Sequence, residues 1–390
     1  MIKISYNPAI ALTDFDAKVK TVCSNVGKFC KQGYCGNGTK IAVATAVARY
    51  NAMDATAQAT FDRYAGAGWR KKAEVKMPKF VFSQETLDVL YFFNDNNQDE
   101  LKKVLDCKAT DFLVVVDKIE KKFKQFKQDK KLVKEKRSQA YQVLYYIFVD
   151  RGYGELKRKA KVAFYKATGL SVCPYCNASE IELYRKKGED HVTGQLDHFH
   201  PKEYYPYLAM SKYNLVPSCS RCNGEGGKHN RDYLRKKLQN PYLLTDNDGV
   251  FFRSSFPKGK KLNADNLDKL IVINLDLTKN PLLEKNRSTF NWLTLYRREK
   301  CRKLAVKMRE TAQAFCNGSY HDQAKQMFDG TKMQTYVKPA AKDFYEDVGS
   351  TLNENEYLSE PYSKLRHDIF FDYCDQINFQ PVLPPKKMRL

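Results

Sequence analysis

The sequence predicts an α+β fold that is mainly α-helical, with one small metal-stabilised module between two helical regions. Residues 1–165 are rich in helix formers and carry apolar residues at helical spacing. Residues 166–245 contain two Cys-x2-Cys pairs and four of the six histidines. In residues 246–390 helical spacing returns after a short strand pattern. We therefore expect a basic helical N-terminal domain, a metal-binding core and a mainly helical C-terminal region with these bounds.

Composition and charge exclude several classes of protein. The chain has 390 residues, of which 43% are hydrophobic, so it can bury a sizeable core. Its apolar runs are far shorter than the ~20 residues of a membrane helix, and its first residues lack a signal-peptide pattern. We expect a cytoplasmic protein whose eleven cysteines are thiols or metal ligands. The net charge of +22 favours a polyanionic partner, either nucleic acid or an anionic membrane surface.

The first half of the N-terminal region is expected to form separate helices. One helix is predicted over residues 39–62, which are rich in alanine and follow a Gly-Asn-Gly turn. Ser83 is a candidate N-cap for a second helix, which carries Leu87 and Leu90 at helical spacing. The polar run 94–97 should break that helix.

Two basic segments follow. Residues 118–137 contain ten Lys or Arg against three Asp or Glu, so the segment is either a helix that follows phosphates or a solvated helix face. Residues 151–170 are again basic and should form a helix that ends at Gly169, a common C-cap residue. One helical face of the first segment would carry its apolar residues: Ile119, Phe123, Phe126 and Val133.

The C-terminal region should combine a loop, a strand and a helix. A loop rich in glycine and lysine is expected over 256–263, and a short strand within 266–279. A long helix is predicted over 282–315, where apolar residues keep helical register. The proline-containing tail at 381–385 should be loose.

Four cysteines form the clearest chemical signal. Cys173 and Cys176 make one Cys-x2-Cys pair, and Cys219 and Cys222 make the second. Two residues between cysteines let a tight turn present both sulfurs to one metal, and two such turns complete a tetrahedral Zn²⁺ site. Four thiolates leave no open position for water or substrate, so the zinc would be structural.

The first pair also has a redox interpretation. Cys173-Pro-Tyr-Cys176 has the form of a glutaredoxin active site, which belongs at the end of a first strand in a small domain. Here a basic helical segment precedes the pair and a second Cys-x2-Cys follows it. Both features favour the zinc site.

Three polar signatures lie between and just after the cysteine pairs. They are Asp197-His198 with a proline three residues later, Asn214 before a leucine, and Asn223 directly after Cys222. In this order, and with the cysteines around them, they resemble the HNH nuclease family over about 60–75 residues. The resemblance implies a ββα-metal core and hydrolysis of phosphodiester bonds.

The same resemblance implies a role for each residue. His198 would be the general base, and Asn214 would fix the loop that orients it. Asp197 and Asn223 would hold a catalytic Mg²⁺ or Mn²⁺, since carboxylate and amide oxygens suit hard cations. The last position of the motif is asparagine rather than histidine, which makes this an H-N-N variant. The nearby His229 is an alternative ligand.

Three further residues are candidates for accessory roles. His200 lies two positions after His198, so on a strand it would share its face and could touch phosphate or metal. Lys228 and Lys202 could grip a nucleic-acid backbone, although each could equally be an ordinary surface charge.

A second resemblance extends the first towards the C-terminus. Residues 238–246 and 273–287 are similar to segments of the HNH nuclease subunits of bacterial anti-phage systems such as Septu and retron-linked effectors. That similarity implies a nuclease in host defence that acts on double-stranded DNA and works with an ATPase or another subunit. No membrane partner is expected, because the apolar runs are too short to span a membrane. Double-strand cleavage would need a homo-oligomer or two successive nicks. A nuclease acting on RNA such as tRNA, and an inactive zinc-stabilised nucleic-acid-binding protein, remain alternatives.

Overall fold

The computed structural model describes residues 2–236, 238–244, 251–317 and 360–378. About half of these residues are helical, and the strands form small sheets, so the expected mixture of α and β structure is confirmed. All five sheets in the described part of the chain are two-stranded and antiparallel. The division into three regions with the bounds given above stays a prediction.

The N-terminal region is mostly helical, and two small sheets follow its first helix. Strand β1 pairs with β4, and β2 pairs with β3. A π-helical turn over Tyr145–Asp150 continues the seventh helix. The elements are α1 (Thr13–Gln32), β1 (Tyr34–Cys35), β2 (Thr39–Ala42), α2 (Val43–Asn51), α3 (Ala55–Ala65), β3 (Glu74–Met77), β4 (Phe80–Val81), α4 (Gln84–Leu105), α5 (Phe112–Lys122), α6 (Gln125–Asp129), α7 (Gln139–Leu144) and α8 (Arg158–Thr168).

The remaining elements build the central module and the C-terminal region. Strand β5 pairs with β6, β7 with β8, and β9 with β10. These elements are β5 (Leu183–Lys186), β6 (Glu189–Val192), β7 (Gln195–His198), β8 (Leu215–Ser218), α9 (Ser220–Asn223), β9 (Phe251–Ser255), α10 (Leu267–Leu270), β10 (Val272–Asp276), α11 (Glu284–Thr289), α12 (Trp292–Tyr296), α13 (Glu299–Asn317) and α14 (Ser363–Gln376).

Several local signals are confirmed. The Ser83 side chain accepts a hydrogen bond from the Thr86 backbone N–H at 3.3 Å and so caps α4. Non-helical backbone angles at Asp95–Gln98 interrupt α4 where the polar run predicted a break. Gly169 ends α8 in the left-handed conformation, with φ of 61°. The short strand expected within 266–279 is β10.

Three predicted helices are wrong in extent. The one over 39–62 begins as β2 and is then divided into α2 and α3, because the Asp54 side chain caps a new helix at Ala57 N (2.8 Å). The basic segment 118–137 is not one helix, since Phe123 has an extended ψ of 83° after α5. Its predicted apolar face also ends early, because Val133 is 61% exposed.

The third misjudged helix, 282–315, is divided into α11, α12 and α13. The break between the first two lies at Asn291, which has φ of 50°. Asparagine tolerates this left-handed conformation, and a helix cannot continue through it. The proline tail at 381–385 lies outside the described residues.

One large cluster of buried residues joins the N-terminal helices, the central module and the C-terminal helices, from Ile4 to Ile369. A second, smaller cluster surrounds Phe61 and Trp69 beneath α2, α3 and β3. The central strands and cysteines therefore lie within a shared core. Among the described residues, no helix combines the length and apolar composition that crossing a membrane requires.

Candidate metal centres and catalytic cavity

The two cysteine pairs converge on one buried point. Cys173 and Cys176 lie on a tight turn after α8, closed by a hydrogen bond from Asn177 N to Cys173 O at 2.7 Å. Cys219 precedes α9, and Cys222 lies on it. The four sulfurs are within 4.8 Å of one another, and within the described ranges they form the one group of three or more potential ligands of this kind.

The chemistry of these four thiols fits a zinc ion. Burial raises the pKa of the Cys173 thiol, whereas hydrogen bonds from the other three cysteines lower the pKa of Cys219. Four buried sulfurs therefore cannot all be thiolates without a positive charge among them. Zn²⁺ supplies that charge and takes four thiolate ligands in tetrahedral geometry. The four buried cysteines could thus hold a zinc ion, and their convergence removes the basis for a separate redox site.

The C-terminal region braces the first cysteine turn. The indole N–H of Trp292 donates to Tyr175 O at 2.9 Å, and the Tyr296 hydroxyl donates to Cys176 O. The Tyr175 ring also stacks on Phe290 with centroids 4.5 Å apart. Helix α12 was not linked to the cysteines from the sequence, because these contacts span about 117–120 residues and no local spacing reveals them.

Strands β7 and β8 and helix α9 form a compact unit beside the cysteines. The register pairs Gln195 with Ser218 and His198 with Leu215. A loop over residues 199–214 connects the strands, and α9 follows β8 after Cys219. Asp197 and His198 are thereby placed at the end of β7, where that loop leaves the sheet.

Asn214 fastens this loop. It is fully buried, and its Oδ1 accepts a hydrogen bond from His200 N at 2.7 Å. Its Nδ2 donates to His200 O and to Leu208 O, both at 3.1 Å. Where β7 and β8 separate, the Asn214 side chain supplies the hydrogen bonds that strand pairing no longer provides. It thereby fixes the backbone that follows His198.

His198 is a buried imidazole with one fixed nitrogen. Its Nε2 donates to Ala209 O at 3.2 Å in the tautomer that leaves Nδ1 unprotonated. The Tyr153 ring packs edge-on against it at 4.3 Å. Burial lowers the pKa of His198 to about 3, with smaller contributions from Lys202 and other lysines. The ring is therefore neutral at physiological pH.

Asp197 is buried and bonded on both oxygens. Its Oδ1 lies 3.1 Å from the Lys228 ammonium, and its Oδ2 accepts from the Tyr175 hydroxyl at 2.7 Å. Burial raises the pKa of this carboxyl, and the two partners act in the opposite direction. Each oxygen keeps a second lone pair that could face a cation.

Lys228 is buried rather than exposed, so the interpretation of this residue as a surface charge is wrong. Its side chain is 1% exposed, and its ammonium donates to His198 O at 2.9 Å and to His229 O at 3.1 Å in addition to pairing with Asp197. All three ammonium hydrogens therefore have acceptors. The lysine joins the segment after α9 to the end of β7.

One cavity of about 670 Å³ brings the central candidates together. Asp197, His198 and Asn223 all line it. Asn223 Nδ2 donates to Gln195 Oε1 at 2.7 Å, which leaves its Oδ1 as an oxygen donor. Two oxygen donors and an open cavity suit Mg²⁺ or Mn²⁺, which keep several water ligands. Asp197 and Asn223 are therefore candidate ligands for such an ion.

The remaining candidates, apart from Lys202, lie outside the lining of this cavity. His200 follows the end of β7, and its ring packs against Phe112 at 4.9 Å. Its buried Nδ1 has no hydrogen-bond partner among the residues that the structure describes, and burial lowers the pKa of His200 to about 3. His229 is exposed and has φ of 48°. Asn214 is also absent from the lining, and its side chain hydrogen-bonds the backbone of the loop that connects β7 and β8.

Residues of the N-terminal region also line the cavity, and sequence reasoning assigned them no place in it. They are Tyr153, Arg158, Lys161 and Tyr165. The signal available was the basic character of residues 151–170. Nothing in the sequence indicates that α8 packs beside β6.

Comparisons with known proteins give two partial similarities. Over 109 residues the chain is 30% identical to the Septu protein PtuB of Bacillus thuringiensis, covering 26% of this chain and 42% of that protein. Over 86 residues it is 34% identical to protein ea31 of Escherichia phage lambda, covering 22% of this chain and 24% of that protein. The chain thus spans less than half the length of each of these relatives.

The other two comparisons give no match. No family model and no solved structure matches this chain. The resemblance to Septu proteins that the sequence motifs indicated is confirmed over about a quarter of the chain.

Proposed function

We propose that this chain is a metal-dependent HNH endonuclease that hydrolyses DNA phosphodiester bonds as part of an anti-phage defence system. One observation carries the proposal: Asp197, His198 and Asn223 line one cavity on a strand–loop–strand–helix unit. The unit lies beside four converging cysteines, which we assign as a structural zinc site. Residues 166–245 would be the catalytic core.

His198 is suited to act as the general base. Its Nε2 is held by a backbone carbonyl, so the neutral ring offers the lone pair of Nδ1 to a water molecule. A pKa of about 3 keeps the ring neutral in the absence of substrate. A phosphodiester anion in the cavity would raise this pKa, because a nearby negative charge favours the imidazolium. The base would then strengthen when substrate is bound.

Asp197 and Asn223 are the side chains that would hold the catalytic cation. A bound Mg²⁺ or Mn²⁺ supplies positive charge for the phosphate and the leaving oxygen. Lys228 would keep Asp197 ionised and in place, since its ammonium lies 3.1 Å from the carboxylate. Asn214 would keep the loop after His198 in the conformation that positions the base.

The partners follow from charge and from the partial similarity. A net charge of +22 supports a nucleic-acid substrate. The similarity to a Septu protein supports a defence setting with further subunits, among which we expect an ATPase. A homo-oligomer would provide two catalytic centres for double-strand cleavage.

The direct test is cleavage of supercoiled plasmid in Mg²⁺ or Mn²⁺ by the wild type and by His198→Ala. Loss of a general base should reduce the cleavage rate by about 10²–10⁴-fold, with unchanged zinc content and thermal stability. A His198→Ala variant that cuts at the wild-type rate would contradict the assignment of the base.

A matched pair of variants locates the metal ligand. Asn223→Ala should impair cleavage and raise the Mg²⁺ concentration required, whereas His229→Ala should leave both unchanged because His229 lies outside the cavity. The reverse result would move the ligand to His229. A wild type that cuts tRNA but no DNA would replace the proposed substrate with RNA.

A further inference from the structure

We infer that Lys161 and Lys202 form a binding site for a backbone phosphate of the nucleic-acid strand, built on the Tyr153 ring beside His198. The inference rests on the proposed function and adds to it the residues that hold the substrate. It also gives the N-terminal region a part in the site, since Lys161 lies on α8.

Tyr153 provides the base of this site. Its ring centroid lies 4.3 Å from that of His198, and its hydroxyl donates to Leu196 O at 3.1 Å. The hydroxyl is thus anchored to β7, and the ring is held in one orientation next to the candidate base. A group bound over this ring would lie directly beside His198.

Two lysines from different parts of the chain converge on the ring. The Lys161 ammonium lies 5.3 Å from the Tyr153 centroid, and the Lys202 ammonium lies 5.4 Å from it. Both side chains are half-buried and line the cavity. Contact with the ring face gives each ammonium a modest attraction, but it does not neutralise either charge.

The two lysines differ from their cationic neighbours. Arg158 pairs with Glu189, Lys166 pairs with Asp190 at 2.5 Å, and Lys228 pairs with Asp197 at 3.1 Å. In the part of the chain that the structure describes, neither Lys161 nor Lys202 takes part in any ion pair. Glu203 also lines the cavity, yet no ion pair joins it to either lysine.

Two ammonium groups beside one ring create a positive local potential, and a bound anion would lower it. A phosphodiester carries one negative charge and two free oxygens, so it could accept a hydrogen bond from each ammonium. DNA and RNA share this group, and the site by itself reads neither base nor sugar. The phosphate site would position the nucleic-acid strand beside His198.

The test is binding in EDTA, where the catalytic cation is absent and cleavage cannot interfere. A fluorescent 20-base-pair DNA duplex and a fluorescent RNA hairpin serve as probes, and anisotropy is measured over a range of salt concentrations. The proteins are the wild type, Lys161→Gln, Lys202→Gln, the double variant, and Lys71→Gln as control. Lys71 is an exposed lysine outside the cavity lining.

Each single variant should weaken binding, and the double variant should reduce the slope of log affinity against log salt by about one, because the two lysines share one phosphate. Lys71→Gln should leave the slope unchanged, and all variants should unfold at the wild-type temperature. The probe that shows this dependence identifies the nucleic acid. Slopes unaffected by both lysines, or a wild type that binds neither probe, would overturn the inference.

The outcome is separable from that of the proposed function. Binding that depends on both lysines, in a protein that cuts nothing with Mg²⁺ or Mn²⁺, would retain the phosphate site and reject the nuclease. Cleavage with lysine-independent binding would retain the nuclease and reject the site.

Discussion

The four-cysteine cluster and the cavity beside it are two candidate metal centres with opposite construction. In the cluster, four sulfurs lie within 4.8 Å of one another and are covered by α12. In the cavity, two oxygen donors, Asp197 and Asn223, face a space of about 670 Å³. The first arrangement would fill every coordination position, and the second would leave most of them to water and substrate.

This difference in construction predicts that the cysteine cluster serves folding and the cavity serves cleavage. A closed thiolate site contributes folding energy, whereas an open oxygen site binds its ion weakly and exchanges it. We therefore expect changes at the cysteines to act on folding, and changes at the cavity to act on cleavage. Between the two centres lies Tyr175, which is adjacent to Cys176 in the chain and donates to Asp197.

The largest effect should come from Cys173→Ser. Loss of one thiolate from a closed zinc site should remove a large part of the ~10 kcal/mol or more that structural zinc can contribute. We expect zinc content to fall below one ion per chain and the cooperative thermal transition to be lost. Inductively coupled plasma mass spectrometry and circular dichroism measure the two quantities.

Cys301→Ser is the matched control for that change. Cys301 is also fully buried, but it is outside the cluster and contacts Leu295 O at 3.6 Å. It should keep its zinc and lose about 1 kcal/mol. Equal losses in the two variants would mean that the cluster is an ordinary part of the core.

An intermediate effect is expected for Lys228→Met. The Asp197–Lys228 pair is buried on both sides, with 3% and 1% exposure of the side chains. Removing the lysine leaves a buried carboxylate without its cation, which should cost about 3–5 kcal/mol. Chemical denaturation measures this loss, and zinc content should be unchanged.

Combining Lys228→Met with Asp197→Asn sharpens this prediction. The double variant should be more stable than Lys228→Met alone, because no buried charge remains without a partner. Additive losses in the double-variant cycle would show that the two residues do not interact.

The smallest effect, when the variants are compared at pH 4.5, concerns His200. Its folded pKa of about 3 lies below the ordinary value near 6.5, so the unfolded chain binds a proton that the folded chain does not. The free energy of unfolding should therefore decrease as pH falls from about 6.5 towards 3, by about 1.4 kcal/mol per pH unit for this group.

His200→Phe tests that dependence. Phenylalanine suits the surroundings of this ring, where Phe112 lies 4.9 Å away, and it does not titrate. The wild type should be the less stable of the two at pH 4.5, with a smaller difference at pH 7.5. Parallel stability curves for both proteins would contradict the burial of His200.

Short-range signals in the sequence gave the candidate site most of its residues. The spacing of Cys173, Cys176, Cys219 and Cys222 predicted a shared point, and the structure brings all four sulfurs together. Such motifs are informative because ligand geometry restricts the number of residues between ligands. Caps such as Ser83 were predictable for a similar reason, since one side chain bonds the adjacent turn.

Long-range packing could not be predicted in the same way. Lys228 was expected at the surface, yet it reaches Asp197, 31 residues earlier in the chain. Lys161 approaches the cavity because α8 packs beside β6, and Tyr153 approaches it because its hydroxyl donates to Leu196 O on β7. Trp292 reaches the cysteine turn from α12. The predicted extents of helices were wrong where a single residue changes the direction of the backbone, as at Asp54 and Asn291.

The measurement that tests the two-centre account most directly follows cleavage and zinc content together during metal exchange. The wild type is treated briefly with EDTA, desalted, assayed on supercoiled plasmid with and without added Mg²⁺ or Mn²⁺, and analysed for bound zinc. We expect EDTA to abolish cleavage, added Mg²⁺ or Mn²⁺ to restore it, and one zinc ion per chain to remain throughout. Cleavage that persists without Mg²⁺ or Mn²⁺, or returns only when zinc is added, would contradict the assignment of two separate centres.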